Sequence, residues 1–176
     1  ANPADRPYVG AKPDDPLAQA QRAGNLYRNF QGYSTHADCD LIAMGITSIS
    51  SVNDCFAQNV RDLESYYQAI DRDKLAIYRG FILSQDDIIR RDVIMELICH
   101  FKLDFSTIEK KFAILFPDYF SWELNQLTNM ARDGLLTLDS HSIAMSPVGR
   151  LLIRNVCMVF DISLRGSEKH QFSKVI

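Results

Sequence analysis

The sequence lacks any apolar run that approaches about 18 residues, the length that a membrane-spanning helix needs. It also lacks a basic excess, since 19 Lys and Arg face 22 Asp and Glu and give a net charge of -3. A chain with this balance has no general attraction for nucleic acid or for anionic lipid. No secretory signal peptide is recognisable. We therefore expect a protein that binds neither a membrane nor nucleic acid.

Cysteine pairs are absent as well. The four cysteines, Cys39, Cys55, Cys99 and Cys157, are far apart, so they form no CxxC pair and no cluster-binding triplet. Cys99 and Cys157 lie within apolar helical patterns, where a free cysteine usually acts as a small buried hydrophobe. We expect four reduced thiols, a cytoplasmic location, no metal site and no cluster bound stably by this chain alone.

Regular structure is poorly indicated at the start of the chain. Four of the six prolines fall within the first 16 residues, and proline fixes φ and removes a backbone donor. We interpret residues 1–25 as a loop-like leader, partly foreign, with one short helix from Leu17 to Leu26 ending near Gly24. Because the chain begins with Ala1 instead of Met, we expect a fragment or a fused tag.

What is present next is an apolar segment, Asp40 to Ser51, whose β-branched residues favour a strand buried on both faces. Such a strand normally belongs to a parallel sheet, so its partners are expected to lie elsewhere. Asn59 to Asp71 has helical periodicity, with Leu63, Tyr66, Tyr67 and Ile70 on one side. A turn and an extended segment follow, and the predicted domain boundary lies near Gly80.

A second unit begins at Ser84, which with Asp87 matches a helix capping pattern. Apolar residues then recur at helical spacing through Phe101. The pattern continues with helices over Phe105 to Phe112 and Asp118 to Arg132, strands over Leu135–Leu138 and Ser142–Met145, and a closing helix from the Ser146-Pro147 cap to about Leu164. The predicted fold class is α+β, mainly helical, with a winged-helix-like C-terminal unit.

Three long strings carry a resemblance to a known family. They are RNFQGYST (Arg28 to Thr35), DLIAMGITSIS (Asp40 to Ser50) and RGFILSQDDIIRRDVI (Arg79 to Ile94). The segments GRLLIRNVCMVFD (Gly149 to Asp161) and QFSKVI (Gln171 to Ile176) agree as well. Over residues 12–176 the chain resembles the C-terminal part of the oxygen-independent coproporphyrinogen III oxidase family, a radical S-adenosylmethionine family of heme biosynthesis.

The resemblance implies both a fold and a chemistry. Residues 26–80 would be the C-terminal edge of a (β/α) barrel, and residues 81–176 the winged-helix-like domain. The whole enzyme would use S-adenosylmethionine and a [4Fe-4S] cluster to convert propionates of coproporphyrinogen III to vinyl groups, with an electron donor and acceptor, as a monomer. The family's CxxxCxxC motif is absent from this sequence, so the isolated chain is expected to be inactive and to contain no catalytic residue.

The resemblance also implies site residues. Phe30, Gln31 and Ile49 match positions that approach S-adenosylmethionine, and Arg28 could pair with a substrate propionate. An amide such as Gln31 both donates and accepts hydrogen bonds, which suits an amino-acid group, and Phe30 and Ile49 offer apolar surface to an adenosyl group. Taken singly, Gln31 would be a turn amide, Ile49 a core residue and Arg28 a solvated arginine.

Two other functions compete with this interpretation. A winged helix can bind nucleic acid, but Asp118 to Asp133 is acidic where a recognition helix should be basic. A non-catalytic porphyrin- or partner-binding fragment would differ only in what precedes the chain.

Arg90 and Arg91 follow acids at helical spacing, which favours ion pairs within the helix. His36, Asp38 and Asp40 are too few for a metal site.

Overall fold

The computed structural model describes residues 12, 14–37 and 39–165. Within these residues the chain forms small antiparallel sheets and short helices, an α+β arrangement as predicted. The N-terminal elements are α1 (Pro16–Ala23), β1 (Tyr27–Asn29), β2 (Gly32–Ser34), β3 (Ile49–Val52), β4 (Cys55–Asn59), α2 (Leu63–Ile70) and β5 (Ile77–Ile82). The later elements are α3 (Gln85–His100), β6 (Lys102–Asp104), α4 (Phe105–Phe112), α5 (Phe116–Tyr119), α6 (Ser121–Arg132), β7 (Leu136–Leu138), β8 (Ser142–Met145), α7 (Pro147–Leu151) and α8 (Ile153–Val159).

Helix α1 confirms the short helix predicted near the start. The Asp15 side chain accepts hydrogen bonds from the Leu17 and Ala18 amides, and Gly24 ends the helix with φ of 75°. Gln21 donates its side-chain amide to the Cys99 carbonyl, 2.6 Å away. The predicted leader of residues 1–25 therefore overlaps a helix packed on the rest of the fold. Residues 1–11 lie outside the described residues, as does the QFSKVI segment.

The prediction of one long strand over Asp40 to Ser51, buried on both faces in a parallel sheet, is wrong. Only Ile49–Val52 form a strand, which is half-buried and antiparallel to β4. The preceding segment turns instead, with φ of 94° at Gly45 and 59° at Thr47. Asn59 holds this turn because its side-chain amide donates to the Gly45 carbonyl at 2.9 Å. That amide comes from the next strand, so the segment itself gave no sign of it.

The first three-stranded sheet has the order β3-β4-β5 and leaves β5 at its edge. Every residue of β5 is exposed, with Tyr78 60%, Phe81 56% and Ile82 79% accessible. Helix α2, shorter than the predicted Asn59 to Asp71, also presents apolar side chains to solvent, including Leu63 at 58% and Tyr67 at 58%. This part of the chain thus has apolar surface that its own elements do not cover.

Helix α3 begins as predicted. The Ser84 side chain accepts from the Asp87 amide while the Asp87 carboxylate accepts from the Ser84 amide, a complete capping box. The buried stripe of α3 includes Val93 and Leu97, both fully buried. The helix ends at Phe101, which adopts φ of 58°.

The remainder of this unit differs from the prediction in three places. Strand β6, which the sequence did not reveal, joins the predicted hairpin to give the antiparallel order β6-β8-β7. The helix predicted over Asp118 to Arg132 is divided into α5 and α6 at Phe120, whose φ of -106° and ψ of 27° are not helical. The closing helix is likewise divided at Leu152, and a short 3-10 helix over Ile162–Leu164 follows.

A group of packed aromatic rings forms the centre of the second unit. Phe105 and Phe116 lie 4.2 Å apart, Phe116 and Phe120 lie 4.6 Å apart, and Phe160 meets Phe120 edge-on at 5.5 Å. Phe116, Phe120 and Phe160 are fully buried. The break at Phe120 therefore places a large ring in the core, which compensates for the interrupted helix.

A buried ion network joins α3 to α6. Glu123, only 1% exposed, accepts hydrogen bonds from Arg90 and Arg165. Arg90 also pairs with Asp86 at 2.7 Å, one helical turn earlier, which confirms the ion pair predicted within the helix. Arg165 lies 4.0 Å above the Trp122 ring. Among the described residues no helix is long and apolar enough to span a membrane.

Candidate cofactor and substrate site

The Phe30–Gln31 pair forms the turn of the β1–β2 hairpin, which the sequence did not reveal. The Asn29 side chain accepts hydrogen bonds from the backbone amides of Gln31 at 2.9 Å and Gly32 at 3.2 Å. Gly32 has φ of 136°, a conformation that favours glycine. The turn is therefore fixed by Asn29 and Gly32, which leaves the side chains of Phe30 and Gln31 available for other contacts.

Phe30 reaches the first sheet through a second aromatic residue. Its ring meets the Phe56 ring edge-on, with centroids 5.2 Å apart and planes at 90°. Phe30 nevertheless remains 54% exposed. The pair provides a fixed apolar surface that is still accessible to a ligand.

Arg28 is held in place by Tyr33 across the same hairpin. Its guanidinium lies 4.9 Å from the centre of the Tyr33 ring and donates to the Tyr33 hydroxyl at 3.2 Å. That hydroxyl donates in turn to the Ile98 carbonyl at 3.5 Å. Within the described residues, no carboxylate lies within ion-pair distance of Arg28. The guanidinium is thus positioned and keeps its charge available for an anion.

The structure brings some of the predicted site residues together and leaves others apart. Arg28 and Phe30 line one cavity of about 370 Å³ between the hairpin, the first sheet and α3. Ser51 and Phe56 line this cavity too. Ile49 is half-buried and lies on the same sheet face as these two residues, because alternate strand residues face the same side. Gln31 is exposed at the hairpin turn and does not line the cavity.

The other side of this cavity comes from residues that sequence reasoning missed. Phe56 and Arg91 are the most informative, and Ile94, Met95 and Ile98 complete an apolar wall from α3. Cys55–Asn59 (CFAQN) has three apolar residues followed by two polar ones, so it shows no alternation that could have revealed the strand that presents Phe56. Nothing in the sequence pointed to Arg91 either. It was expected to pair within its helix, yet its closest acid is Asp54 of another segment, at 3.7 Å.

A second cavity of about 250 Å³ lies on the opposite face of the first sheet. It is lined mainly by apolar residues of the 42–44 turn, of β3 and β4, and of α2 and the chain after it. Its polar members are Ser50, Asn59 and Tyr66, and each makes a hydrogen bond within the turn that precedes β3. These polar groups are already used by the fold, so the cavity offers apolar contact and little else.

The cysteines do not fit an iron–sulfur cluster. Cys99 and Cys157 are buried as predicted, and burial raises the pKa of each thiol to about 12. A cluster needs several thiolates that converge on it. Across the described residues, no three His, Cys, Asp or Glu side chains gather as metal ligands. The part of the chain that the structure describes therefore does not provide such a centre, whereas Phe30 and Gln31 have the apolar and amide side chains that would suit the adenosyl and amino-acid ends of S-adenosylmethionine.

The remaining candidates have structural explanations. His36 is exposed, and its backbone amide donates to the Ser34 hydroxyl at 3.0 Å. Asp40 accepts from the Asn53 amide at 2.8 Å, which stabilises the turn between β3 and β4. Asp38 lies outside the described residues.

Comparison with known proteins gives a consistent result. Residues 83–152 match the family described as the HemN C-terminal domain. The oxygen-independent coproporphyrinogen III oxidase of Escherichia coli (strain K12) is 52% identical over 167 residues, covering 94% of this chain and 36% of the relative. The Pseudomonas aeruginosa protein of the same name is 46% identical over 173 residues, covering 96% of this chain and 38% of the relative.

A solved structure agrees in fold. It is described as coproporphyrinogen III oxidase (HemN) from Escherichia coli, a radical SAM enzyme, and it matches with a TM-score of 0.84 and 52% identity. The match covers 88% of this chain and 36% of that chain. The chain thus spans little more than a third of the length of these relatives. It belongs to the oxygen-independent coproporphyrinogen III oxidase family and corresponds to the C-terminal part of its members.

Proposed function

We propose that the chain serves as the C-terminal part of an oxygen-independent coproporphyrinogen III oxidase, the enzyme that decarboxylates two propionates of coproporphyrinogen III to form protoporphyrinogen IX. The observation that carries this proposal is the arrangement of Arg28, Phe30 and Phe56 around one cavity, in a chain 52% identical to a relative of that name. A cationic group beside exposed aromatic surface suits a carboxylated ring system.

Phe30, Gln31 and Ile49 are the residues that we propose for contact with S-adenosylmethionine in the whole protein. The fixed hairpin turn supports this role for Phe30 and Gln31, because a held backbone presents both side chains at low entropic cost. The iron–sulfur cluster and the S-adenosylmethionine chemistry would be supplied by the N-terminal part of the full-length protein. This chain would then contribute binding and orientation, and Arg28 would contribute charge toward a propionate.

The uncovered apolar surface supports a barrel-edge role for residues 26–80. Exposed Tyr78, Phe81 and Ile82 on edge strand β5, together with Leu63 and Tyr67 on α2, would pack against the parent's N-terminal part. An uncovered apolar edge strand is a liability for a protein that works alone. An independent, non-catalytic binding fragment is therefore the weaker interpretation.

For residues 81–176 we propose a winged-helix-like domain. The order of helix α3, strand β6, the three helices α4 to α6 and a hairpin, with the sheet order β6-β8-β7, supports it. Nucleic-acid binding does not follow, since α6 carries one basic residue, Arg132, near its end. We propose that the whole protein is a monomer that works with an electron donor and an electron acceptor. The four free thiols support a cytoplasmic location, where thiols stay reduced.

Substitution of Gln31 in the full-length protein tests the site assignment. Gln31→Ala should lower anaerobic conversion of coproporphyrinogen III by at least tenfold, because misplacement of a cofactor can cost about 100-fold in rate. Its melting temperature should not change, since the side chain is exposed. Gln126→Ala, an exposed amide on α6, is the matched control. Normal turnover by Gln31→Ala would reduce Gln31 to a turn residue and remove it from the site.

A further inference from the structure

The cavity beside the β1–β2 hairpin combines two cations with an apolar lining. Its volume is about 370 Å³, at the small end of the range for ligand sites. Arg28 lies on the hairpin side and Arg91 on the α3 side, and none of the described residues that line the cavity is acidic. Phe30, Phe56 and Met95 supply apolar contact between them.

Both arginines have charge available for a ligand. Arg28 is held by a neutral hydroxyl, at 3.2 Å from Tyr33, so its charge is not neutralised by that contact. Among the described residues, Arg91 has an acid within ion-pair distance only in Asp54, at 3.7 Å, and that carboxylate is 43% exposed. An exposed and loosely paired acid contributes little and is readily displaced. Arginine forms paired, parallel hydrogen bonds with carboxylates, which makes it well suited to bind them.

The charge of the cavity distinguishes between two carboxylate ligands of the proposed reaction. S-adenosylmethionine carries a sulfonium, an ammonium and one carboxylate, so two arginines would repel its net positive charge. A porphyrinogen with four propionates is strongly anionic and has an apolar body. The cavity is too small for a whole tetrapyrrole, but it suits one pyrrole edge with its side chains.

We propose that the Arg28–Arg91 cavity binds a propionate-bearing edge of the tetrapyrrole substrate, with Arg91 as a second carboxylate receptor beside Arg28. This inference rests on the proposed function and makes it more specific, since it assigns the space between the two arginines to the substrate and the contacts at Gln31 and Ile49 to the cofactor. Phe30, which lines the cavity and is also proposed to contact S-adenosylmethionine, would then lie between the two ligands. The cavity lies where the hairpin and first sheet meet α3, so the C-terminal unit would help to hold the substrate.

Binding of coproporphyrin III to the 176-residue chain is the first test. This air-stable oxidised form carries the same four propionates, and its absorbance and fluorescence report binding. Arg28→Gln and Arg91→Gln should each weaken binding about tenfold, the effect of one lost charge-assisted contact. Arg154→Gln, an exposed arginine on α8, should stay within about twofold of the unchanged chain, the scatter expected of a group that makes no contact. Melting temperatures of all variants check that each one folds.

The proposal would be overturned by equal binding by the Arg28→Gln and Arg91→Gln variants, by equal binding of the coproporphyrin tetramethyl ester, or by displacement of coproporphyrin by S-adenosylmethionine. The last of these would assign the cavity to the cofactor. Absence of binding to the unchanged chain would overturn it as well.

Turnover by the full-length protein separates this inference from the proposed function. If coproporphyrinogen III is converted and both arginine variants are as active as the unchanged protein, the cavity assignment fails and the proposed function stands. If the full-length protein does not convert coproporphyrinogen III but coproporphyrin binding depends on both arginines, the function fails and the cavity stands. A loss of turnover in both variants, with Arg154→Gln unaffected, supports both.

Discussion

Removal of the Glu123 charge should destabilise the second unit strongly. Glu123 is 1% exposed and accepts hydrogen bonds from Arg90, itself 8% exposed, and from Arg165. Glu123→Gln keeps the shape and one acceptor oxygen but removes the negative charge. Arg90 would then retain Asp86 at 2.7 Å and the Phe160 carbonyl at 3.3 Å. Its compensation would be incomplete.

The size of the effect follows from these contacts. Breaking a buried ion pair by removing one partner costs about 3–5 kcal/mol, because the remaining charge is buried without compensation. Since Asp86 still pairs with Arg90, we expect about 2–3 kcal/mol for Glu123→Gln. In a domain of about 60–100 residues that loss lowers the melting temperature by roughly 10–20 °C.

Urea denaturation followed by circular dichroism gives the free energy of unfolding directly. Asp118→Asn is the matched control, since it removes an exposed carboxylate from the neighbouring α5 and should cost under about 0.5 kcal/mol. The double variant Arg90→Leu with Glu123→Leu should lose less than the sum of its single variants, because it removes both charges. A loss of stability below about 1 kcal/mol for Glu123→Gln would refute this reasoning. So would a loss in the double variant equal to the sum of the losses in its two single variants.

Three further outcomes follow from the structure. Gly149→Ala should destabilise by about 3 kcal/mol in urea denaturation, because a Cβ at Gly149 would lie 1.8 Å from the Leu135 carbonyl oxygen, and backbone cannot move aside as a side chain can; a loss under about 1 kcal/mol would contradict this. Burial opposes ionisation of Asp86, but hydrogen bonds from Arg90 and Tyr119 outweigh it and lower its pKa. The stabilisation that ionised Asp86 gives the folded state should therefore be present above about pH 4, where an unfolded aspartate is ionised. It should disappear as the pH falls through the lowered pKa of Asp86 in the folded state. The stability difference between the unchanged chain and Asp86→Asn, measured in urea from pH 7 to pH 2.5, should shrink on acidification, and a constant difference would be inconsistent with the network. A thiol reagent at pH 8 should label exposed Cys39 rapidly and reach Cys99 and Cys157 only on unfolding, since burial raises the pKa of both thiols to about 12; equal labelling rates would contradict their burial.

Local signals in the sequence were sufficient for much of the second unit. The capping box at Ser84, the apolar stripe of α3 and the proline-initiated helix after Ser146 all lie where their patterns predict. Each depends on residues within one or two turns of one another. That is why sequence alone located them.

The errors arise where distant residues decide the local structure. The Asp40 to Ser51 segment is apolar enough for a strand, but the Asn59 amide stabilises a turn there. Phe120 interrupts a helix of good periodicity because its ring joins the aromatic core. In both cases the residues that decide the local structure lie outside the segment whose structure they change.

The candidate site shows the same division. The family resemblance pointed to Phe30, the chemistry of arginine with carboxylates pointed to Arg28, and the structure places both at one cavity. Phe56 and Arg91 complete that cavity from another strand and from α3, so only the tertiary fold brings them there. The roles of Gln31 and Ile49 toward S-adenosylmethionine stay predictions.

A chimeric enzyme tests the central claim most directly. The C-terminal part of the Escherichia coli relative, 52% identical to this chain, would be replaced by residues 12–176, and anaerobic conversion of coproporphyrinogen III would be measured. We predict turnover within about tenfold of the relative, and a further loss of at least about tenfold when Phe30→Ala removes the exposed ring beside Phe56. A folded, cluster-loaded chimera that converts no coproporphyrinogen III, or one indifferent to Phe30→Ala, would contradict the account.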